Sequence, residues 1–323
     1  ASNNIAIGLS AATNTTTGQQ NIAIGTEALK ANITGIYNIA IGTQALEKNT
    51  VASNVAIGNA AMKENTTGQL NTAVGTSALD ANTTGNFNVA IGGSCLTSSV
   101  AAHNCVGVGH EALANNLASL NTAVGKSALS ANTTGTENTA VGSSALVLNT
   151  TAHHNVAVGV YALLNNTGAG NTALGTRALQ LNTTGTSNVA VGAFALDANT
   201  TATNNTAVGY SALTTNTTGG SNTCIGRMAL QLNETGDENT AVGAGALQRN
   251  TTADHNTGVG KNALGNNTTG TDNVAVGEAA LQSSTTGSNL TAVGRNALFA
   301  NTTGTNNSAF GHKALDANTT GTH

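Results

Sequence analysis

Side chains able to do chemistry are few in this chain: three cysteines, seven histidines and fourteen carboxylates among 323 residues. A zinc protease needs a second histidine one helical turn beyond a His-Glu pair, and none follows His110-Glu111. His153 and His154 are adjacent, and His103 and His255 occupy the points equivalent to the first and the second of them. A metal could bind there, but no cysteine or carboxylate cluster stands beside them, so solvated histidines are the expectation. Gly107-Val-Gly109 lacks the third glycine and the following helix of a dinucleotide-binding turn. Cys95, Cys105 and Cys224 form no CxxC pair and cannot all pair within one chain. The residues therefore predict no catalytic site, no cofactor and no metal, in a protein that is not an enzyme.

The tripeptide Asn-Thr-Thr is a different kind of signal. It occurs twelve times and matches the N-glycosylation sequon, which makes Asn65, Asn82, Asn132, Asn182, Asn216 and Asn301 candidate sugar acceptors. The same threonines raise an ice-binding reading. A flat ice face needs threonines that alternate along a strand, whereas these are neighbours in a bend, and the reading ranks low.

Whatever positions these residues is repetitive. Starting at Asn4, units begin at residues 4, 21, 38, 54, 71, 88, 105, 121, 138, 155, 171, 188, 205, 222, 239, 256, 273, 290 and 307. The consensus is N-x-A-[IV]-G-x-x-A-L-x-x-N-T-T-G-x-x, and residues 1–323 read as a single continuous repeat domain. A period of 17 is shorter than helical-hairpin or leucine-rich repeats allow and suits one coil of a β-solenoid. The segment N-x-A-[IV]-G alternates as a short strand does, and A-L-x-x-N is a plausible second strand. N-T-T-G is then the turn, because Asn and Gly accept left-handed backbone. The expected fold is all-β, a parallel β-solenoid or β-roll of about 19 coils.

Comparing the units gives a burial map. The fourth position is always apolar and the ninth is Leu in seventeen units, so both columns are expected in the core: Ile24, Leu29, Val74, Leu79, Val124, Leu129, Val191 and Leu196. Asp, Glu, Lys and Arg occupy the sixth, seventh, tenth, eleventh, sixteenth and seventeenth positions, with Glu234 the exception, and these should face water. The third position is Ala in sixteen units although it lies on the opposite strand face from the fourth. Small residues on that face imply a close neighbour. A second chain packed against Ala73, Ala123 and Ala207 is the favoured explanation; the alternative packs each alanine under a leucine of its own coil. Asn fills the first position in seventeen units, and its stacked amides can hydrogen-bond from coil to coil in a rod roughly 90 Å long.

Composition removes other classes. Formal net charge is −4 with ten Lys and Arg, too little positive charge to neutralise nucleic acid. No run of apolar residues is long enough for a membrane span. The chain opens without Met or a leader-like segment and reads as processed, or as an excerpt of a longer repeat region.

The cores Asn21-Ile-Ala-Ile-Gly25 and Asn88-Val-Ala-Ile-Gly92 resemble the head repeats of trimeric autotransporter adhesins of the YadA type. Similar N-T-A-V-G…A-L…N-T-T-G arrays look like those of phage tail-fibre proteins. The resemblance covers essentially the whole chain and implies a trimeric, left-handed parallel β-roll outside a cell or virion. The unit is longer than the adhesin head's, and no coiled-coil stalk or membrane anchor accompanies it. The expected function is a non-enzymatic structural or adhesive fibre segment, partnered by copies of itself and by a host or surface receptor or glycan. The alternative is a self-polymerising extracellular filament, stacked end to end and sugar-coated at its turns.

Overall fold

The computed structural model describes residues 2–322, and they form two compact units that divide after Val160. Each unit is a parallel β-solenoid, so the expected fold class holds. The first contains ten three-residue strands, β1 (Ile5–Ile7) to β10 (Val156–Val158); the second contains nine, β11 (Thr172–Leu174) to β19 (Ser308–Phe310). Within each unit consecutive strands pair in parallel with equivalent residues opposite one another, as in Thr72↔Val89 and Thr206↔Thr223. No strand needs a sequence-distant partner.

One coil shows why the consensus closes on itself. After the strand Ile22–Ile24, Gly25 takes a φ of 130°, a conformation that L side chains rarely adopt. Glu27, Leu29 and Tyr37 follow in left-handed backbone at φ of 60°, 54° and 60°. Such residues cost roughly 1–2 kcal/mol each, and the neighbouring coils offset this by taking their N–H groups. Glu27 N donates to Leu9 O at 2.8 Å and Leu29 N to Ala45 O at 3.0 Å. The expected second strand at A-L-x-x-N does not form. Its place is taken by two turns, with Ala28 N bonded to Gly25 O and Asn32 N to Leu29 O, both at 3.3 Å. Nor does the N-T-T-G corner use left-handed Asn or Gly. Its glycine is there because a Cβ on Gly85, for example, would sit 2.2 Å from the carbonyl oxygen of Ala102.

The interior differs from the expected one in a single inversion. Leu29, Leu79, Leu129 and Leu196 are fully buried as expected, but the fourth-position residues face outward: Ile24, Val74 and Val191 are half-buried and Val124 is 37% exposed. The third-position alanines point in instead, and Ala73, Ala123 and Ala207 are fully buried within their own coils. Size decides this. A Cβ at Gly258 would lie 3.3 Å from Cγ of Leu247, a ninth-position leucine of the preceding coil, so the site tolerates nothing much larger than Ala. Gly107 confirms the tightness: its missing Cβ would be 2.4 Å from Sγ of Cys95, which stands where other coils have a smaller alanine. The alanine columns are thus explained by the chain itself, and no second chain is required to cover them.

Two columns of buried asparagine complete the core. At the first position, Oδ1 accepts the backbone N–H of the next coil (Asn21 N to Asn4 Oδ1, 2.9 Å) while Nδ2 donates to the corner carbonyl of its own coil (Asn21 to Gly35 O, 2.9 Å). At the twelfth, amides bond to one another from coil to coil, as in Asn82 to Asn65 and Asn65 to Asn49, both 2.7 Å. Ser99 and Ser284 interrupt that ladder, and each is followed six residues later by a break in the other column, Cys105 and Leu290. Leu290 takes up room beside the shorter side chain: a Cβ on Gly287 would sit 2.9 Å from its Cδ1 and 3.1 Å from Ser284 Oγ.

Candidate functional site

The six sequon asparagines belong to the second amide ladder. Asn65, Asn82, Asn132, Asn182, Asn216 and Asn301 are all fully buried. The Nδ2 that would carry a sugar donates elsewhere, for instance from Asn182 to Asn166 Oδ1 at 2.7 Å and to Gly185 O at 2.9 Å. The folded coil has no room for a glycan at these positions, which corrects the expectation. The first Thr of the sequon is also committed: Thr83, Thr183 and Thr302 donate their hydroxyls to the equivalent carbonyl of the next coil.

The histidine corners do structural work as well. His103 Nδ1 accepts the N–H of Asn86 and His153 Nδ1 that of Thr136, each at 3.0 Å. Asn86, Asp254 and Ser288 perform the same service one coil apart elsewhere in the column. His154 pairs with Glu137 at 3.1 Å, and His255 lies between Glu238 and Asp272 at 3.4 and 3.6 Å. These pairs are half exposed or more and contribute little to stability. Among the described residues no three His, Cys, Asp or Glu side chains are grouped to hold a metal ion. Near His110 and Glu111, a shallow groove of about 400 Å³ is lined by Ser94, Thr97, Ser98, Glu111, Asn115 and Ser130. Glu111 is tied there to Ser127 Oγ at 3.2 Å.

All three thiols are free and buried. Burial pushes Cys95 up to about 12 and raises Cys105 and Cys224 above the ordinary thiol range, because a thiolate would be left in an apolar interior. The expected result of thiol titration with an aromatic disulfide reagent is therefore no fast reaction in the native chain and three equivalents after denaturation. Rapid labelling of native Cys95 would contradict this interior placement.

The feature that remains is the outer strand face. Every fourth-position residue is apolar, and many are well exposed: Ile57 at 38%, Ile91 at 41%, Leu174 at 47% and Ile225 at 43%. The two units differ at the second position, which shares this face. In the first unit seven of ten strands begin with Ile or Val; in the second, seven of nine begin with Thr or Ser. Just ahead of its strands, the first unit also carries Tyr37, Leu70, Phe87 and Leu120, all more than half exposed. The second unit has Ser187, Asn204, Ser221, Glu238, His255 and Asp272 at the equivalent points. Sequence periodicity located both columns but assigned the fourth to the interior, since nothing in it reports how narrow a coil is. Among the described residues no helix is long and apolar enough to cross a membrane. No protein-family model matches this chain, and comparison with curated proteins finds no relative.

Proposed function

We propose that this chain is a non-enzymatic structural or adhesive fibre segment of an extracellular appendage, surface adhesin or tail fibre, and that it works as a homo-oligomer. The observation that carries the reading is the outward face of the first unit. Ten rungs about 4.8 Å apart, each presenting about 10 Å of strand, make roughly 500 Å² of flat surface, near the upper end of what monomers leave exposed. Its residues are β-branched and mostly aliphatic, with Thr72, Thr122 and Thr139 among them, rigid at χ1 and in register, which suits a self-complementary contact. The likeness of the repeat to adhesin heads and tail fibres supports the extracellular setting, and the uniform coils leave chemistry to whatever surface the fibre touches.

Mass in solution tests the self-association. The native chain is expected to sediment as a multiple of 31.6 kDa, and Ile39→Lys combined with Ile91→Lys is expected to shift it to single chains with unchanged circular dichroism. A wild-type chain that stays monomeric at high concentration would overturn the oligomer. Labelled antibody seen only on cell interiors, with none on appendages, would overturn the fibre.

A further inference from the structure

The second unit carries a patch that a self-associating face would not need. Across four consecutive strands, Thr206, Thr223, Thr240 and Thr257 stack in register, two residues before Val208, Ile225, Val242 and Val259. All eight side chains point outward; Ile225 is 43% exposed and the others are half-buried. No charge lies in either column. Among the described residues none gives these four threonine hydroxyls a hydrogen-bond partner. That sets them apart from the corner threonines, whose hydroxyls are bonded along the stack, as in Thr200 to Thr217 O and Thr217 to Glu234 O.

Such an array is a two-dimensional grid of hydroxyls and methyl groups on a rigid support. Its rungs repeat about every 4.8 Å, and threonine and its apolar partner lie about 6.6 Å apart along the strand. In a tetrahedral lattice of water with O···O of about 2.75 Å, oxygens recur about every 4.5 Å along a layer and about every 7.3 Å across layers. The misfit per rung is about 0.3 Å, so over the three steps of this patch it stays near 1 Å, well under one lattice repeat. A second protein surface laid dry on the patch would leave the hydroxyls unpaired, which is unfavourable. An ice surface pairs them. It also fits the apolar column, whose β-branched side chains hold fixed rotamers and keep the face flat.

We propose that the face formed by Thr206–Val208, Thr223–Ile225, Thr240–Val242 and Thr257–Val259 binds ice. The pattern that made ice binding an unfavoured reading of the sequence, threonines adjacent in a bend, belongs to the corners; each strand instead holds one outward threonine beside one outward apolar residue, and the threonines line up from coil to coil. The proposal is independent of the self-association assigned to the first unit, because it rests on different residues and a different ligand.

Growth of a single ice crystal in a droplet of the full-length chain is the test. The expected result is arrested, faceted growth over a temperature gap larger than the solute concentration alone produces. Thr223→Lys with Thr240→Lys should shrink that gap at least fivefold at equal concentration, and Thr223→Val with Thr240→Val, which removes the hydroxyls and keeps the shape, should lower it severalfold. If the lysine pair fails to give a native spectrum, the isosteric valine pair carries the test, and Thr223→Ser with Thr240→Ser, which keeps the hydroxyls, should retain at least half of the gap. A wild-type chain without any gap, or a gap indifferent to these substitutions, overturns the proposal.

Discussion

Gly243→Ala is expected to destabilise the second unit by roughly 4 kcal/mol or more, whereas Gly311→Ala should cost only about 1–3 kcal/mol. Both glycines follow a strand and both have left-handed φ, 133° and 119°. Any L side chain is strained at such angles, and that part of the loss is common to the two. The surroundings differ. A Cβ at Gly243 would lie 2.5 Å from the carbonyl oxygen of Gly260, 2.6 Å from its carbon and 3.1 Å from the backbone nitrogen of Lys261, whereas nothing lies within 4 Å of one at Gly311. Those backbone atoms cannot retreat, because Gly260 N is itself bonded to Val242 O at 2.8 Å and Gly243 N to Ile225 O at 2.7 Å. The alanine must therefore break the stack or push two coils apart. Urea unfolding followed by circular dichroism, with hydrogen exchange at the flanking coils, measures both losses. Equal losses at the two positions would mean that backbone conformation alone, and not the close approach of coils, demands glycine here.

Asn216→Asp is expected to lower stability by about 3–5 kcal/mol at neutral pH and by much less in acid. Asn216 is fully buried; its Nδ2 donates to Asn199 Oδ1 at 3.1 Å and to Gly219 O at 2.9 Å, while its Oδ1 accepts from Asn233 Nδ2 at 2.9 Å. A carboxylate keeps the acceptor and loses both donations, and it faces two oxygens in a site closed to water. Burial and those oxygens disfavour the charged form, so the new carboxyl has a higher pKa folded than unfolded, where it is about 3.9. A group raised in this way is proton-loaded and least harmful below its unfolded value; stability then falls as pH rises through the folded value and levels off above it. Denaturation midpoints of wild type and variant across acid to neutral pH should diverge in that direction. A gap that does not change with pH would show that the carboxylate finds water or another donor, and that the ladder is less closed than its geometry indicates.

These two substitutions bracket what holds a coil in place. The aromatic content is 2%, so burial of large rings contributes little, and the interior consists of leucine, alanine and amide. Leucine columns exclude water from the amide columns, and the amides pair the backbone groups that short strands leave over. Neither column stabilises the coil without the other, since an unpaired buried amide is costly and a column of leucines beside three-residue strands cannot by itself choose a register.

The repeat was legible in the residues because a solenoid writes each coil in the same positions. Period, strand location, the buried ninth-position leucines and the stacking of equivalent residues all follow from comparing units such as Asn21–Tyr37 and Asn71–Phe87 with one another. Which side of the strand is inside did not follow. Val74 and Ala73 are both apolar, alternation requires only that they face opposite ways, and the rule that apolar residues go inward favours the larger. The coil is too narrow for the larger one, a fact of tertiary geometry visible only where Leu247 approaches Gly258 and Cys95 approaches Gly107. The same holds for Asn65 and its equivalents. As a tripeptide, Asn-Thr-Thr is a surface sequon; stacked at a coil spacing, its amide is the one group able to bond the amides above and below, and the fold takes it inside. Composition and period therefore determined the architecture, while the width of the coil decided which residues meet solvent, and with them which surfaces are left to bind anything.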